Sequence, residues 1–314
     1  MNITGFVDHA IYDLHIQSPG HPECPERLQS IRTELETRGL VNSLHRLSLE
    51  PLDVRHLFEV HRQDYVEKVS DVSERGGGYL DDGDTRACKH SSKAAKMAAS
   101  GVIEAAQAIM QKKITNAFCA VRPPGHHALP TNAMGFCIFN NVAIAARYLQ
   151  KRFFLERILI IDFDVHHGNG TQDIFYDEPN IYFFSTHQYP FYPGTGSAAE
   201  RGRGFGEGYT MNVPLLENSS GARILEALEG PLYSVMQDYK PQFILLSSGY
   251  DAFHDDPVGG LNVQRSEFRQ INKIILTMAQ EFSQGRLLSV LEGGYNTEIL
   301  GTLVADQVED FLLY

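Results

Sequence analysis

The chain has 314 residues, 43% hydrophobic and 21% charged, with 27 Lys and Arg against 39 Asp and Glu for a net charge of −12. That is ordinary globular composition in a chain long enough to bury a core without disulfides or metal, so disordered, collagenous and coiled-coil architectures are excluded. An acidic surface repels phosphate backbones, so no nucleic-acid partner is expected; the charge suits solubility or a cationic partner such as a lysine-rich tail.

In chain order, the predicted elements begin with helices over Glu26–Arg38 and Ser91–Lys112 and a strand over Ala117–Val121. A helix over Asn140–Arg152 and strands over Arg157–Phe163 and Ile181–Ser185 follow, then a Gly-rich surface loop from Pro193 to Gly208. The last elements are a helix over Ala222–Asp238, a strand over Phe243–Ser247, a helix over Arg265–Ser283 and a strand over Leu287–Leu291. The strand runs are apolar throughout rather than alternating, as expected of strands buried on both faces. Their alternation with helices predicts one α/β domain with a mainly parallel sheet. Cys24, Cys88, Cys119 and Cys137 form no CxxC pair, the pattern of a reduced intracellular protein. The first residues show no basic n-region and no apolar core of signal-peptide length, so no signal peptide is expected, and no stretch approaches the ~18 apolar residues of a membrane span. A cytoplasmic protein with no membrane partner is expected.

In a parallel α/β sheet the ligand site lies outside the carboxyl ends of the strands. Those ends are rich here in His and Asp. They carry Arg122–His127, Asp162–Gly170, Thr186-His187, Ser248–Asp251 and Glu292–Tyr295. Within Asp164-Val165-His166, residues two apart point the same way on an extended chain, with Asp162 one step earlier. Asp and His together suit Zn²⁺, and Asp251 from a separate strand end can supply a third ligand. Three protein ligands leave a position open for water, the catalytic arrangement. Taken alone, Asp164 and His166 fit a hydrogen-bonded turn better; Asp251 and the other polar strand ends favour the metal site. The adjacent imidazoles His126 and His127, behind Pro-Pro-Gly, suit proton transfer near neutral pH. Tyr295, after two glycines, offers a neutral phenol that can donate to a developing oxyanion.

These residues fall in the strings RPPGHHA, GFCIFNN, DFDVHHGNGTQ, SSGYDAFHDDPVGG and LEGGY, in that order, after HPECPERL at His21–Leu28. In combination they are specific, and they span nearly the whole chain. The sequence resembles the arginase-fold zinc deacetylases of the histone deacetylase type, and its HHGNGTQ and DDPVGG forms are similar to the class II branch. The resemblance implies a single catalytic domain over residues 1–314, with a parallel sheet of about eight strands flanked by helices. It implies one Zn²⁺ per chain on Asp164, His166 and Asp251, and hydrolysis of an acyl-lysine amide in a protein or peptide.

Carried over position by position, His127 resembles the general base and later acid. His126 resembles its electrostatic companion, oriented by Asp162. Asn169 stands behind His127 where class I members have Asp, so no carboxylate strengthens that base. Tyr295 resembles the oxyanion-stabilising tyrosine. Phe136 and Tyr192 resemble the aromatics walling the acyl-lysine tunnel, the second of which is usually Phe. Gly294 resembles a tunnel-floor glycine, and Arg27 the arginine of an internal channel. The family also binds K⁺. A first site would use Asp162, Ser185 and Thr186 with the backbone of Asp164 and His166, and a second Phe175, Glu178, Ile181 and Tyr209. Asp84 is a candidate rim carboxylate for the substrate backbone.

Three rival readings follow. An acetylpolyamine deacetylase needs an acidic gatekeeper at Val258. An arginase-like dinuclear manganese enzyme needs an Asp where Gly168 stands. A catalytically dead acyl-lysine binder should have lost part of the ligand, His and Tyr set, which is intact here.

Overall fold

The computed structural model describes residues 3–81 and 83–314. Its strands are β1 (Thr4–Val7), β2 (His45–Arg46), β3 (Gly77–Tyr79), β4 (Arg86–Cys88), β5 (Asn116–Cys119), β6 (Ile158–Asp162), β7 (Ile181–Gln188), β8 (Thr210–Leu215), β9 (Phe243–Ser248) and β10 (Leu287–Leu291). Eight of them form one sheet in the order β2-β1-β5-β10-β9-β6-β7-β8, and every neighbouring pair is parallel. Strands β3 and β4 form a separate antiparallel hairpin.

The apolar runs read from the sequence are β5, β10, β9, β6 and β7, which lie side by side in the middle of the sheet and are wholly buried. The unpredicted sheet strands lie to either side. Strand β8 alternates in burial and carries Pro214, which an edge position tolerates because one side of the strand pairs with nothing. Strand β1 opens on Thr-Gly, and β2 is exposed, so neither leaves a hydrophobic run.

Helices cover both faces of the sheet. The predicted helices at Glu26–Thr37, Ser91–Met110, Asn141–Phe153 and Arg265–Ser283 are present, with ends shifted by at most a few residues. The helix expected over Ala222–Asp238 is interrupted. Ala222–Ala227 widens into a π turn at Leu228–Leu232 containing Pro231, and the α-helix resumes at Tyr233–Tyr239. Proline has no N–H for the helical ladder and its ring clashes with the preceding turn, so the wider turn absorbs it. Helices at Gln63–Glu74, Asn169–Phe175 and Thr297–Leu313 were not predicted. The last buries Leu300, Leu303, Val304, Val308 and Phe311, too apolar around its circumference to show a clean helical stripe.

The order of strands places the site. The chain passes from β5 to β6 without pairing them, and β10 and β9 later insert between the two. The carboxyl ends of β5, β10, β9 and β6 therefore stand side by side, each followed by one of the His- or Asp-bearing segments. Among the described residues no helix is long and apolar enough to cross a membrane.

Candidate active site

Strand β6 ends at Asp162, so Asp164 and His166 sit on the irregular segment beyond it, not on the strand. Their common direction comes from two short turns. Asp164 N–H donates to Asp162 Oδ1 at 3.2 Å, and His166 N–H donates to Asp164 Oδ1 at 2.9 Å. The turn and the ligand cluster are thus the same structure. From the end of β9, Asp251 joins them, and the three residues' ligand atoms lie within 4.8 Å of one another. His166 Nδ1 is 3.1 Å from Asp164 Oδ1 and 3.2 Å from Asp251 Oδ2. Asp164 Oδ2 accepts from Gly293 N–H at 2.8 Å, and Asp251 Oδ1 from Val165 N–H at 2.9 Å. Gly293 and Gly249 must be glycine, since a Cβ on either would overlap these carboxylates.

One atom is left over. Asp251 Oδ2 is buried and accepts no hydrogen bond. Burial and the neighbouring Asp164 carboxylate push the Asp251 carboxyl up to about 7. Burial works against a charged His166, yet Asp164 and Asp251 raise it to about 9. Buried carboxylates that raise each other and an imidazole in this way are the arrangement a bound cation would neutralise, and Asp₂His is a hard-to-borderline donor set that fits Zn²⁺.

The two histidines after β5 are held differently. His126 Nδ1 is 3.0 Å from Asp162 Oδ2, and although burial disfavours its charge, Asp164 and Asp162 raise it to about 10. His127 Nδ1 is 2.7 Å from Asn169 Oδ1. The amide nitrogen of Asn169 faces Met134 Sδ at 3.4 Å, which fixes its oxygen toward His127. His127 Nδ1 therefore carries the proton and Nε2 is the free acceptor. Burial, His126 and His166 hold His127 well below its ordinary value, so the ring is neutral.

Tyr295, after β10, receives its backbone position from Asp256, whose Oδ2 accepts its N–H at 2.7 Å. Burial holds the phenol well above its usual range, so it remains a donor. The Arg27 guanidinium stacks over its ring, 4.9 Å from the centroid. Arg27 is itself fully buried and donates to the carbonyls of Gly294 at 2.7 Å and Glu292 at 2.5 Å.

A cavity of about 230 Å³ opens over these groups, lined by Asp84, His127, Gly135, Phe136, His166, Phe191, Tyr192, Val258 and Tyr295. It brings together the predicted wall residues Phe136 and Tyr192, the gatekeeper Val258 and the rim carboxylate Asp84. Gly294 is not among its lining residues; at φ +116° it turns the chain behind Tyr295. Asp162, Asn169 and Arg27 likewise stand behind the lining. Ser185 and Thr186 are fully buried on β7, where Ser185 pairs in register with Asp162 and Thr186 Oγ1 has no hydrogen-bond partner. Phe175, Glu178, Ile181 and Tyr209 lie apart from the cavity, around the start of β7. There Arg147 occupies the Glu178 carboxylate with two hydrogen bonds.

Several supporting residues escaped the sequence reading. Glu292 Oε2 accepts the N–H groups of Gly125 at 2.6 Å and His126 at 3.1 Å, fixing the histidine loop. Glu23, fully buried, binds Arg122 through both carboxylate oxygens. Asp256 and Met134 position Tyr295 and Asn169 as described, and Phe191 lies flat on His166 at 5.4 Å. Glu292 alone left a signal, as a charged residue closing an apolar strand.

Known proteins are similar to this chain over most of its length. Residues 21–311 match the histone deacetylase domain family. A probable deacetylase of Archaeoglobus fulgidus is 42% identical over 298 residues, covering 94% of this chain and 82% of its own. A histone deacetylase-like amidohydrolase of Pseudomonas aeruginosa is 35% identical, covering 88% of this chain and 73% of its own. The crystal structure of the HDA15 HD domain superposes with a TM-score of 0.94 at 32% identity, covering 99% of this chain and 88% of the other. With a family match over residues 21–311 and relatives at 35–42% identity over most of the chain, the chain belongs to the histone deacetylase family of hydrolases.

Proposed function

We propose that the protein is a zinc-dependent deacylase that hydrolyses the side-chain amide of acyl-lysine in a protein or peptide. The observation that carries this reading is the Asp164–His166–Asp251 cluster, where the buried Asp251 Oδ2 accepts no hydrogen bond and has the His166 ring beside it, set under a narrow aromatic-walled cavity between His127 and Tyr295. Asp164, His166 and Asp251 would hold the ion, one per chain. The chemistry supplied by zinc at such a site is Lewis-acid polarisation of the amide carbonyl and acidification of water.

The chain's own groups do the rest. Phe136 and Tyr192 grip the methylenes of the lysyl side chain and keep water from them. His127 Nε2, left free because Nδ1–H is bonded to Asn169, takes the proton of the attacking water. Tyr295 donates its hydroxyl to the carbonyl oxygen as negative charge builds there. His126, held by Asp162, stands beside His127 as its electrostatic companion, and the proton His127 has gained passes to the leaving amine. We also assign K⁺ to the buried Asp162, Ser185 and Thr186 group, where Thr186 Oγ1 is orphaned; at Phe175, Glu178, Ile181 and Tyr209 Arg147 takes both Glu178 carboxylate oxygens, so backbone oxygens and the Tyr209 phenol would have to hold such an ion.

The test is purified enzyme, with metal content measured, assayed on acetyl-lysine peptides, longer acyl-lysine peptides and acetylpolyamines. Zinc near one per chain with turnover of an acyl-lysine peptide is expected. Zinc-replete protein that cleaves none of them overturns the reading.

A further inference from the structure

The tunnel walls belong to two loops that are distant in sequence, and they are built unequally. Phe136 sits on a backbone with φ +69° and is pinned there. Its N–H donates to Thr85 Oγ1 at 3.0 Å, Gly135 N–H donates to Asp84 Oδ1 at 3.2 Å, and Thr85 Oγ1 donates to that same oxygen at 2.9 Å. Asp84 is fixed in turn, because Asp81 Oδ1 accepts the N–H groups of Gly83, Asp84 and Thr85.

The opposite wall, Tyr192, rides on the segment between β7 and the Gly-rich loop. The base of that segment is anchored. Tyr189 N–H donates to Leu215 O at 2.8 Å, Thr195 Oγ1 meets His167 Nδ1 at 2.8 Å, and Gly196 O meets His187 Nε2 at 2.8 Å. Its tip, residues 190–194, has one internal bond, Gly194 N–H to Phe191 O. Among the described residues one hydrogen bond leaves the tip: Tyr192 O–H donates to Asp84 Oδ2 at 3.2 Å. Tyr192 is also 37% exposed, so packing alone holds only part of the ring.

Asp84 therefore touches both walls, one through each carboxylate oxygen. We propose that the Tyr192 hydroxyl, through its bond to Asp84, braces the two aromatic walls across the tunnel mouth and sets how wide a side chain the tunnel accepts. Where the wall residue is Phe, this bond has no donor. The brace favours an unbranched methylene chain, which fits a slot of fixed width without paying to order it, and it disfavours a chain that must push Tyr192 aside. The inference deepens the deacylase reading and rests on it for the nature of the occupant, but the width of the slot is measurable by binding alone.

The experiment is a double-mutant cycle on the zinc-loaded enzyme. Calorimetry gives Kd for two hydroxamates that differ only in linker, one a linear alkyl chain and one carrying a phenylene ring. Tyr192→Phe keeps an aromatic wall of the type usual in this family, so the fold is retained. It is expected to lower the linear-over-aryl preference by about three- to tenfold, the worth of one hydrogen bond. In an Asp84→Ala background the same substitution is expected to change the preference by less than about twofold, because its partner is gone. An unchanged preference in the first background, or an equal change in both, overturns the brace. Turnover of an acetyl-lysine peptide by the same preparations is scored separately: its absence in the unmutated enzyme counts against the deacylase reading, while the Kd cycle still decides the brace.

Discussion

The floor and the rim of the cavity are made from different material. On the floor, Asp162, Asp164, Asp251 and Glu292 are all fully buried, and the loop segments around them are fixed by several hydrogen bonds each. On the rim, Val258 is half-buried, Asp84 is exposed, and Tyr192 is tied by one bond. Burying carboxylates is costly unless each is paired or coordinated, so the floor can exist only as a complete set. The rim pays no such cost and can vary residue by residue. Chemistry is therefore expected to fail abruptly when the floor is cut, and specificity to drift when the rim is changed.

The sharpest break is at Asp251. Asp251→Ala removes one of the three proposed ligands and is expected to leave a folded protein with little zinc and only background turnover. Metal analysis beside circular dichroism checks it, and full zinc occupancy in the variant would remove Asp251 from the ligand set. Dialysis of the unmutated enzyme against a chelator should abolish turnover, and added zinc should restore it.

One step smaller are the groups proposed to act on substrate without holding metal. His127→Ala is expected to keep zinc and lose about 10²–10⁴-fold in kcat, the usual range for a general acid–base. Tyr295→Phe is expected to cost about 10²–10³-fold, the usual worth of one oxyanion donor. Near-normal kcat with zinc retained in either variant would show that the role lies elsewhere.

The same contrast explains what the sequence made legible. Strands β5, β6, β7, β9 and β10 are buried on both faces, and that leaves uninterrupted apolar runs. The floor residues follow those runs directly, so Asp164, His166, Asp251, the histidine pair and Tyr295 could be read from position. What holds them could not. Glu23 and Arg122 are 99 residues apart, and Asp84 and Tyr192 are 108 apart, so neither pair leaves a local pattern. Asp164 and His166 point together because of two side-chain turns, where the sequence implied a strand pleat. Strand β8, half-exposed and carrying Pro214, resembles a loop until β7 is beside it.

His61 tests whether the support beneath the floor is as rigid as its bonding implies. It is buried between the segment that follows the histidine pair and the N-cap of the Asn141–Phe153 helix, with Nδ1 2.9 Å from Leu129 O and Nε2 accepting Asn140 N–H at 2.9 Å. That geometry requires the neutral ring, and burial lowers its pKa to about 4. The unfolded chain, at about 6.5, binds the proton first, so stability falls as pH drops below about 6.5 and has lost roughly 3 kcal/mol by pH 4. His61→Gln should be less stable than the unmutated protein at pH 7.5, and the gap should narrow as pH falls toward 4.5. Urea unfolding of both proteins across that range checks it; a gap independent of pH would mean the ring does not titrate between the folded and unfolded states as its burial requires.

The smallest effect expected is on the rim, at Val258. This side chain lines the cavity beside Tyr295, and its N–H donates to Asp256 Oδ1 at 3.0 Å, so the backbone is fixed while the side chain faces the opening. An isopropyl group there offers nothing to the distal ammonium of a polyamine, which would have to shed water without gaining a partner. A lysyl peptide brings no second ammonium to that point, so acyl-lysine peptides should exceed acetylspermidine and acetylputrescine in kcat/KM. Val258→Glu adds a carboxylate at a half-buried mouth, where an ion pair is screened less than on open surface. The ratio of polyamine to peptide kcat/KM should then rise by about five- to tenfold, with kcat for the peptide changed far less because the floor is untouched. If the unmutated enzyme already prefers acetylpolyamines, or if the ratio stays put in Val258→Glu, selectivity is set elsewhere. A large fall in peptide kcat would instead show that floor and rim are coupled through Asp256, which holds the backbone of both Val258 and Tyr295.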